Sequence, residues 1–374
     1  MITKVIIRSQ KSYILSEVED HIRQIFTELS IYDKLKDKKR ILIKPNLLGA
    51  HHPDKAVTTH PVVIEAVIRI LQENPVEIVI GDSHGGTVSI NHVWQETGIK
   101  ELCEKYNVDL AEFGKEGIET VNMESVPPLY IDKNVMNCDA VINMAKMKTH
   151  SMMLYTGAVK NLYGVIPGLY KSELHKLHPS PNDFSNILVA VYNLLKPKIV
   201  VNIIDGIIGM DGEGPSAGNP YPYHIILASE KASAVDFITS KMMGLKHILY
   251  LEQCLQSDNL TISDIITDDH WQNFVFKNVK LKGVLFKNKV LILLPEFVKK
   301  IFRKLFAYYP AFYQKCKLCN ICVKCCPVNA LKVENKKILL DKKKCIKCLC
   351  CHEMCPHSAV YLKKSLLASL IFDK

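Results

Sequence analysis

The sequence predicts an α/β fold, with a largely parallel sheet and flanking helices, followed by a small α+β module near the C-terminus. Three observations predict it. Over the first 290 residues, short apolar strand-like runs alternate with longer helical patterns, as they do where helices connect parallel strands. Four of those runs lead directly into polar segments. Ten of the thirteen cysteines then crowd between Cys316 and Cys355. At 374 residues, the chain has room for two to three domains of roughly 100–200 residues each.

The expected strands are Lys4–Ile7, Arg40–Ile43, Val76–Ile80, Ala140–Asn143, Lys198–Ile204 and His224–Ala228. The expected helices are Ser16–Leu29, Pro61–Gln72, Asp183–Leu195 and Ala232–Met243. The second helix has a clear start, with Thr59 or His60 as cap and Pro61 in the first turn, and it ends at Asn74-Pro75. This part of the chain has no internal repeat and no low-complexity tract.

Apolar residues make up 48% and charged residues 23%, a balance that builds a core and excludes a disordered chain. No run of about 18 apolar residues offers a spanning helix. The first residues lack the long apolar region and cleavage site of a signal peptide. A cytoplasmic location, with reduced thiols, is therefore expected. Cysteines crowded in such a setting point to metal rather than disulfides. Cys103, Cys138 and Cys254 lie apart from the cluster and read as small core residues.

Charge is uneven. Residues 277–374 carry 22 Lys and Arg against 5 Asp and Glu, whereas residues 1–276 carry 26 against 33. The net +10 thus belongs to a basic C-terminal quarter on an acidic body. Between them, Val290–Leu294 reads as a short strand. Phe297, Val298, Ile301, Phe302, Leu305 and Phe306 then fall on one helical face, with Lys299, Lys300, Arg303 and Lys304 opposite. The expected division is an α/β domain over 1–290, a linker with an amphipathic helix over 291–312, a cysteine module over 313–365 and a tail over 366–374. The helix reads as packed on the body, resting on an anionic membrane or docking a partner.

The cysteines form Cys316-x2-Cys319-x2-Cys322-x3-Cys326-Pro327 and Cys345-x2-Cys348-x2-Cys351-x3-Cys355-Pro356. This is a doubled bacterial-ferredoxin run. Three cysteines on a tight loop wrap three irons of a cubane, and the fourth ligand comes from the opposite motif. On that pattern Cys316, Cys319, Cys322 and Cys355 hold one [4Fe-4S] cluster. Cys345, Cys348, Cys351 and Cys326 hold the other. Cys325 and Cys350 are extra; moving the ligand to Cys325 would break both the x3 spacing and the following proline. Structural zinc is the alternative, but its sites usually use separated cysteine pairs.

The polar segments are Lys44-Pro-Asn46 with His51 and His52; Gly81-Asp82-Ser83-His84-Gly85-Gly86; Asn143-Met-Ala-Lys146-Met-Lys148-Thr149-His150; and Asp205-Gly206 running on to Met210-Asp211-Gly212-Glu213. Parallel strands bring such ends side by side, where open sheets bind ligands. Lysines and histidines facing acids suit a small anionic substrate and proton transfer, and equally a divalent metal. Lys148, His150 and Asp205 are the expected catalytic residues. Lys44, Asn46, Asp82 and Lys146 are expected to bind substrate. Lys171-x3-His175-x2-His178 reads either as a further ligand set or as helical surface.

The blocks LIKPNLLG, VIGDS, NMAKMKTH, TGAVKNLYGVIPG and IIDGIIGMDGEGPSAGNP resemble those of the domain-of-unknown-function 362 family. The resemblance covers most of residues 40–240 as well as the tail. It implies an α/β domain fused to a two-cluster ferredoxin module, and it carries over no catalytic roles. Lys160 and Asn161, at matching positions, join the expected substrate-binding set. Asp211 stands where the family is expected to carry Glu more often.

Together these features lead to an iron–sulfur protein of electron-transfer or oxidoreductase type, in which two clusters are coupled to the cleft. An acidic carrier such as a ferredoxin is the expected partner, with no nucleic acid and with peripheral membrane contact as an added option. Two other readings stand beside it. One is a non-redox α/β enzyme whose clusters stabilise or sense, with Lys148 or His150 as base. The other is a cluster carrier or assembly module without a reaction of its own.

Overall fold

The structure, a computed structural model, describes residues 2–85, 88–276, 279–280 and 308–364. The expected strand at 290–294, the amphipathic helix at 297–306 and the tail at 366–374 lie outside the described residues. Among the described residues, no helix is long and apolar enough to cross a membrane.

The body is built on one large sheet. Its strands are β1 (Thr3–Ser9), β2 (Arg40–Lys44), β3 (Glu77–Gly81), β4 (Asp109–Ala111), β7 (Ala140–His150), β8 (Leu154–Thr156), β9 (Ile199–Asp211), β10 (Asn219–Tyr221), β11 (Ile225–Ser229) and β12 (Ile265–Thr267). The order across it is β12-β1-β11-β9-β7-β2-β3-β4, with β8 on β7 and β10 on β9. The central run from β9 to β4 is parallel. β11 is antiparallel to both β1 and β9. A separate hairpin is made by β5 (Ile118–Met123) and β6 (Val126–Asp132).

Successive side chains of a strand point to opposite faces, and both faces of this sheet are buried. Ile41, Ile43, Ile78, Ile80 and Ile142 join one core with helices Leu15–Glu28 and Pro61–Leu71. Leu42, Val79 and Val141 join the other with helices Pro181–Leu195 and Ala232–Met242. Burial on both faces explains the unbroken apolar runs of the parallel strands. Truncating the fully buried Ile43 to Ala should cost about 2–5 kcal/mol. His60 caps the Pro61 helix by accepting from the Val62 N–H at 3.2 Å.

Two of the four polar segments are not loops beyond strand ends. NMAKMKTH is the second half of β7, and the segment through Asp211 is the second half of β9. The two strands stay paired through Lys146↔Asp205 and Lys148↔Met210, with a register shift between. Every residue of β7 is buried, so its polar half is an inner wall.

The C-terminal module pairs β13 (Tyr308–Phe312) with β16 (Val360–Lys364), and β14 (Leu331–Glu334) with β15 (Lys337–Leu340), all antiparallel. Its first strand lies in the stretch that the sequence assigns to the linker. Two four-residue helices, Ile321–Lys324 and Cys350–Glu353, follow the cysteine loops.

Candidate functional site

Two buried ion pairs anchor the cleft. Lys44, the last residue of β2, donates to Asp82 Oδ1 at 2.7 Å, and Asp82 Oδ2 accepts the Leu47 N–H at 2.6 Å. A Cβ on Gly164 would overlap the Asp82 carboxylate and crowd Lys44 Nζ, so glycine is required by close approach. In β7, Lys146 donates to Asp205 Oδ2 at 2.7 Å and to Tyr13 OH at 2.9 Å. Asp205 also accepts from Tyr13 OH, from the His60 N–H and from the Ile207 N–H. With both oxygens engaged, Asp205 holds charge in place. Burial pulls the Lys44 and Lys146 ammonium groups below their ordinary values, and the carboxylates oppose it.

An amide network ties the strands together. Asn161 donates to Lys44 O and Asn143 Oδ1, and accepts from Asn46 Nδ2 at 3.1 Å. Asn143 in turn donates to Asn202 Oδ1 at 2.7 Å. Asn46 Oδ1 accepts from Lys148 at 2.7 Å, and Val57 O takes a second Lys148 N–H at the same distance. Lys44, Asn46, Asp82, Lys148 and Asn161 thus share one network, while Lys146 and Asp205 form the adjoining one.

Lys148 differs from the paired lysines because both its acceptors are neutral. Burial and the charges of Lys160 and Lys146 lower its pKa well below the usual amine range. With only neutral acceptors, no carboxylate holds the proton on this amine. Lys160 forms no ion pair or hydrogen bond through its side chain among the described residues. Lys171 donates to the carbonyls of Ser83 and His84, and burial pulls it down to about 7. His51 is half-buried near Lys148, held down to about 4 by burial; His52 is exposed beside Asp54.

His150, at the end of β7, is 3% exposed. Its Nδ1 accepts the N–H groups of both Met152 and Met153 at 3.1 Å. In the neutral ring that fixes the proton on Nε2. Burial and Lys160 hold its pKa down to about 4, so the ring is neutral at pH 7 and Nε2–H is a donor. That donor faces Glu353 Oε1 at 3.0 Å, and neither atom has another partner. His175, stacked on Phe184 at 4.0 Å, leaves Nδ1 buried and unpartnered. Burial and Lys160 also depress it, to about 4, against the pull of Glu353.

Glu353 comes from the second cysteine motif. Burial opposes its ionisation, but His150, Lys160 and His175 together hold its carboxyl below the usual range. The Ser216 hydroxyl donates to the carbonyls of His352 and Glu353, and Met354 packs on Gly85, where a Cβ would overlap it. The module therefore closes over the strand ends. The sequence reading missed Tyr13 and Glu353 and weighed His60 only as a cap. The signal for Glu353 was the polar pair His352-Glu353 inside a tight cysteine loop.

The cysteine module repeats itself. Each cysteine of the first motif recurs 29 positions later. Left-handed backbone recurs at the same offsets, at Leu318 and Lys347, Asn320 and Leu349, and Asn329 and Ser358. The Ala330 N–H donates to Cys326 Sγ, and the Ala359 N–H to Cys355 Sγ, both at 3.2 Å. Cys316, Cys319, Cys322 and Cys355 line one pocket. Burial pushes the Cys345 thiol up, and Cys348 and Cys326 add to it. Among the described residues, no three His, Cys, Asp or Glu side chains converge on one metal-ion position. Cys103, Cys138 and Cys254 are buried in the body.

The thylakoid-associated protein sll1697 of Synechocystis sp. is 30% identical over 247 residues, covering 66% of this chain and 76% of its own. Among solved structures, the lactate racemase apoprotein from Thermoanaerobacterium thermosaccharolyticum aligns with a TM-score of 0.39 at 16% identity. That alignment covers 63% of this chain and 56% of the other. The profile of the family described as "Domain of unknown function (DUF362)" matches residues 41–241, more than half of the chain. With its network of lysines and amides inside that span, this chain belongs to the DUF362 family.

Proposed function

We propose that the chain is an iron–sulfur protein of electron-transfer or oxidoreductase type, whose cleft binds a small anionic substrate beside a two-cluster, ferredoxin-type module. The observation that carries this reading is the docking of the second cysteine motif onto the cleft through Glu353, 3.0 Å from His150. Cys316, Cys319, Cys322 and Cys355 would hold one [4Fe-4S] cluster, and Cys345, Cys348, Cys351 and Cys326 the other. The fit rests on three features: the pocket that Cys316, Cys319, Cys322 and Cys355 line, the repeated backbone and the N–H donors aimed at Cys326 and Cys355. Thiols arranged around a space suit a cubane, in which each binds a different iron. When bound, the clusters supply single-electron transfer.

The chain's own residues would divide the remaining work. Lys160 and Lys171 offer positive charge to an anion. His150 Nε2–H and Asn46 orient it. Lys148, held by neutral acceptors alone, exchanges a proton with it. Lys44–Asp82 and Lys146–Asp205 keep the floor rigid, and the docked module excludes water.

Anaerobic purification with iron and sulfide analysis, then redox titration with candidate metabolites, tests this reading. About eight irons and eight sulfides are expected; tightly bound zinc instead would refute it. An acidic carrier is the proposed partner of the basic module, and its reduction rate should fall steeply with salt. Peripheral membrane contact is a second reading. It is favoured by the thylakoid association in the relative's name and by the amphipathic pattern at 297–306. Co-sedimentation with anionic vesicles, lost on Phe302→Asp, would favour it over the carrier.

A further inference from the structure

Five buried or half-buried bases, Lys148, Lys160, Lys171, His150 and His175, surround the end of β7 and the loop beside it. Glu353 is the one acid among the described residues that meets one of the five within ion-pair distance, at His150. Lys148, Lys160 and Lys171 have no carboxylate within ion-pair distance among the described residues. The pocket is also imperfectly filled. His150 Nε2 and Glu353 Oε1 have only each other, at 3.0 Å, and His175 Nδ1 is buried without a hydrogen-bond partner, although such groups are normally satisfied. Their residues are 3%, 7% and 6% exposed.

We infer that His150, Lys160 and His175 form a carboxylate subsite for a small organic acid, and that Glu353 is its built-in occupant, displaced when the acid binds. Three features favour a carboxylate. The present occupant is one. The donor facing it is a single imidazole N–H, that of His150, which suits a monoanionic group better than a phosphate dianion. The His150 Nε2–H, with its tautomer fixed from behind by two backbone N–H groups, is a one-point donor for a carboxylate oxygen. Exchange needs only the Glu353 side chain to leave. Ser216 holds the backbone carbonyls of His352 and Glu353, so the module stays docked. The subsite thus reads its ligand on a loop flanked by Cys351 and Cys355.

This inference rests on the anionic-cleft reading above, and one experiment separates the two. Malonate and inorganic phosphate are titrated calorimetrically into the full-length protein, with iron content checked for each variant. Glu353→Gln should tighten malonate binding by about tenfold, the gain expected when an occupant filling the site about nine-tenths of the time is removed. Glu353→Asp, one methylene shorter, should show the same direction of change. Adding Lys160→Ala should abolish the gain. Unchanged or weaker malonate binding in both Glu353 variants, with iron intact, overturns the inference alone. A gain for phosphate but not for malonate overturns the carboxylate assignment. Lys148→Ala that binds malonate as wild type, in a protein that also lacks iron, would instead refute the reading on which it rests.

Discussion

The two halves of the cysteine module share a backbone and differ in what they carry between the third and fourth cysteines. The first half has Val323-Lys324-Cys325, with Lys324 exposed; the second has His352-Glu353-Met354, with His352 and Glu353 buried against the body. Left-handed turns and N–H···S bonds recur in both halves. The difference teaches that the repeat sets the ligand frame, while the departure from the repeat sets the docking. A cleft in which Lys148, Lys160 and Lys171 lack ion pairs among the described residues then meets the half whose loop brings Glu353 to His150.

The largest effects should come from breaking the frame itself. Cys319→Ala and Cys348→Ala should each remove about four of roughly eight irons, in different halves. Cys325→Ala and Cys350→Ala should leave iron content nearly unchanged, because Met354 and Ile321 stand at their repeat positions. Iron and sulfide analysis reads this directly.

Next come the cleft lysines. Lys146→Ala strands Asp205 in a fully buried position and should cost roughly 3–5 kcal/mol in chemical denaturation. Lys148→Ala loses bonds to two neutral acceptors and should cost only about 1–3 kcal/mol. In substrate binding the order should reverse. A Lys148→Ala protein as destabilised as Lys146→Ala would erase the distinction between paired and unpaired lysines.

The halves can also be compared by truncation. Glu353→Ala removes the acid that faces His150 and should destabilise by about 1–3 kcal/mol. Lys324→Ala, at the equivalent exposed position, should stay within about 0.5 kcal/mol. Thermal denaturation of the loaded protein reads both.

The smallest effect is a slope. His175 has its pKa depressed from 6.5 to about 4 by burial. Between those values the unfolded chain binds the proton and the folded chain does not, so stability falls as pH drops. His175→Phe should flatten that limb by up to about one proton, or about 1.4 kcal/mol per pH unit. Denaturation at pH 7 and pH 5 measures it.

Much of the body was legible in the sequence because its signals are local. All six expected strands and all four expected helices form, eight of the ten within two residues of their expected bounds, while β7 and β9 each run seven residues past their expected ends. The runs Ile41-Leu42-Ile43 and Ile78-Val79-Ile80 announce strands buried on both faces. Polar Lys146, Lys148 and His150 ended the expected strand at Asn143, yet β7 continues to His150, because paired acids and amides make polar residues buriable. The antiparallel placement of β11 between β1 and β9 was not legible, since pairing partners lie far apart in the chain. Nor was the meeting of His150 with Glu353, which are 203 positions apart. Spacing shows which cysteines belong together; it does not show which loop of a module faces a cleft.

The central claim is that the cleft and the cysteine module act on one another through Glu353. A spectroscopic redox titration of the iron-loaded protein, with and without saturating malonate, tests it most directly. The account predicts a ligand-dependent midpoint, moving by about 59 mV for each tenfold difference in malonate affinity between the two redox states, and a smaller shift in Glu353→Gln. Malonate that binds the cleft and leaves both midpoints where they were would contradict it.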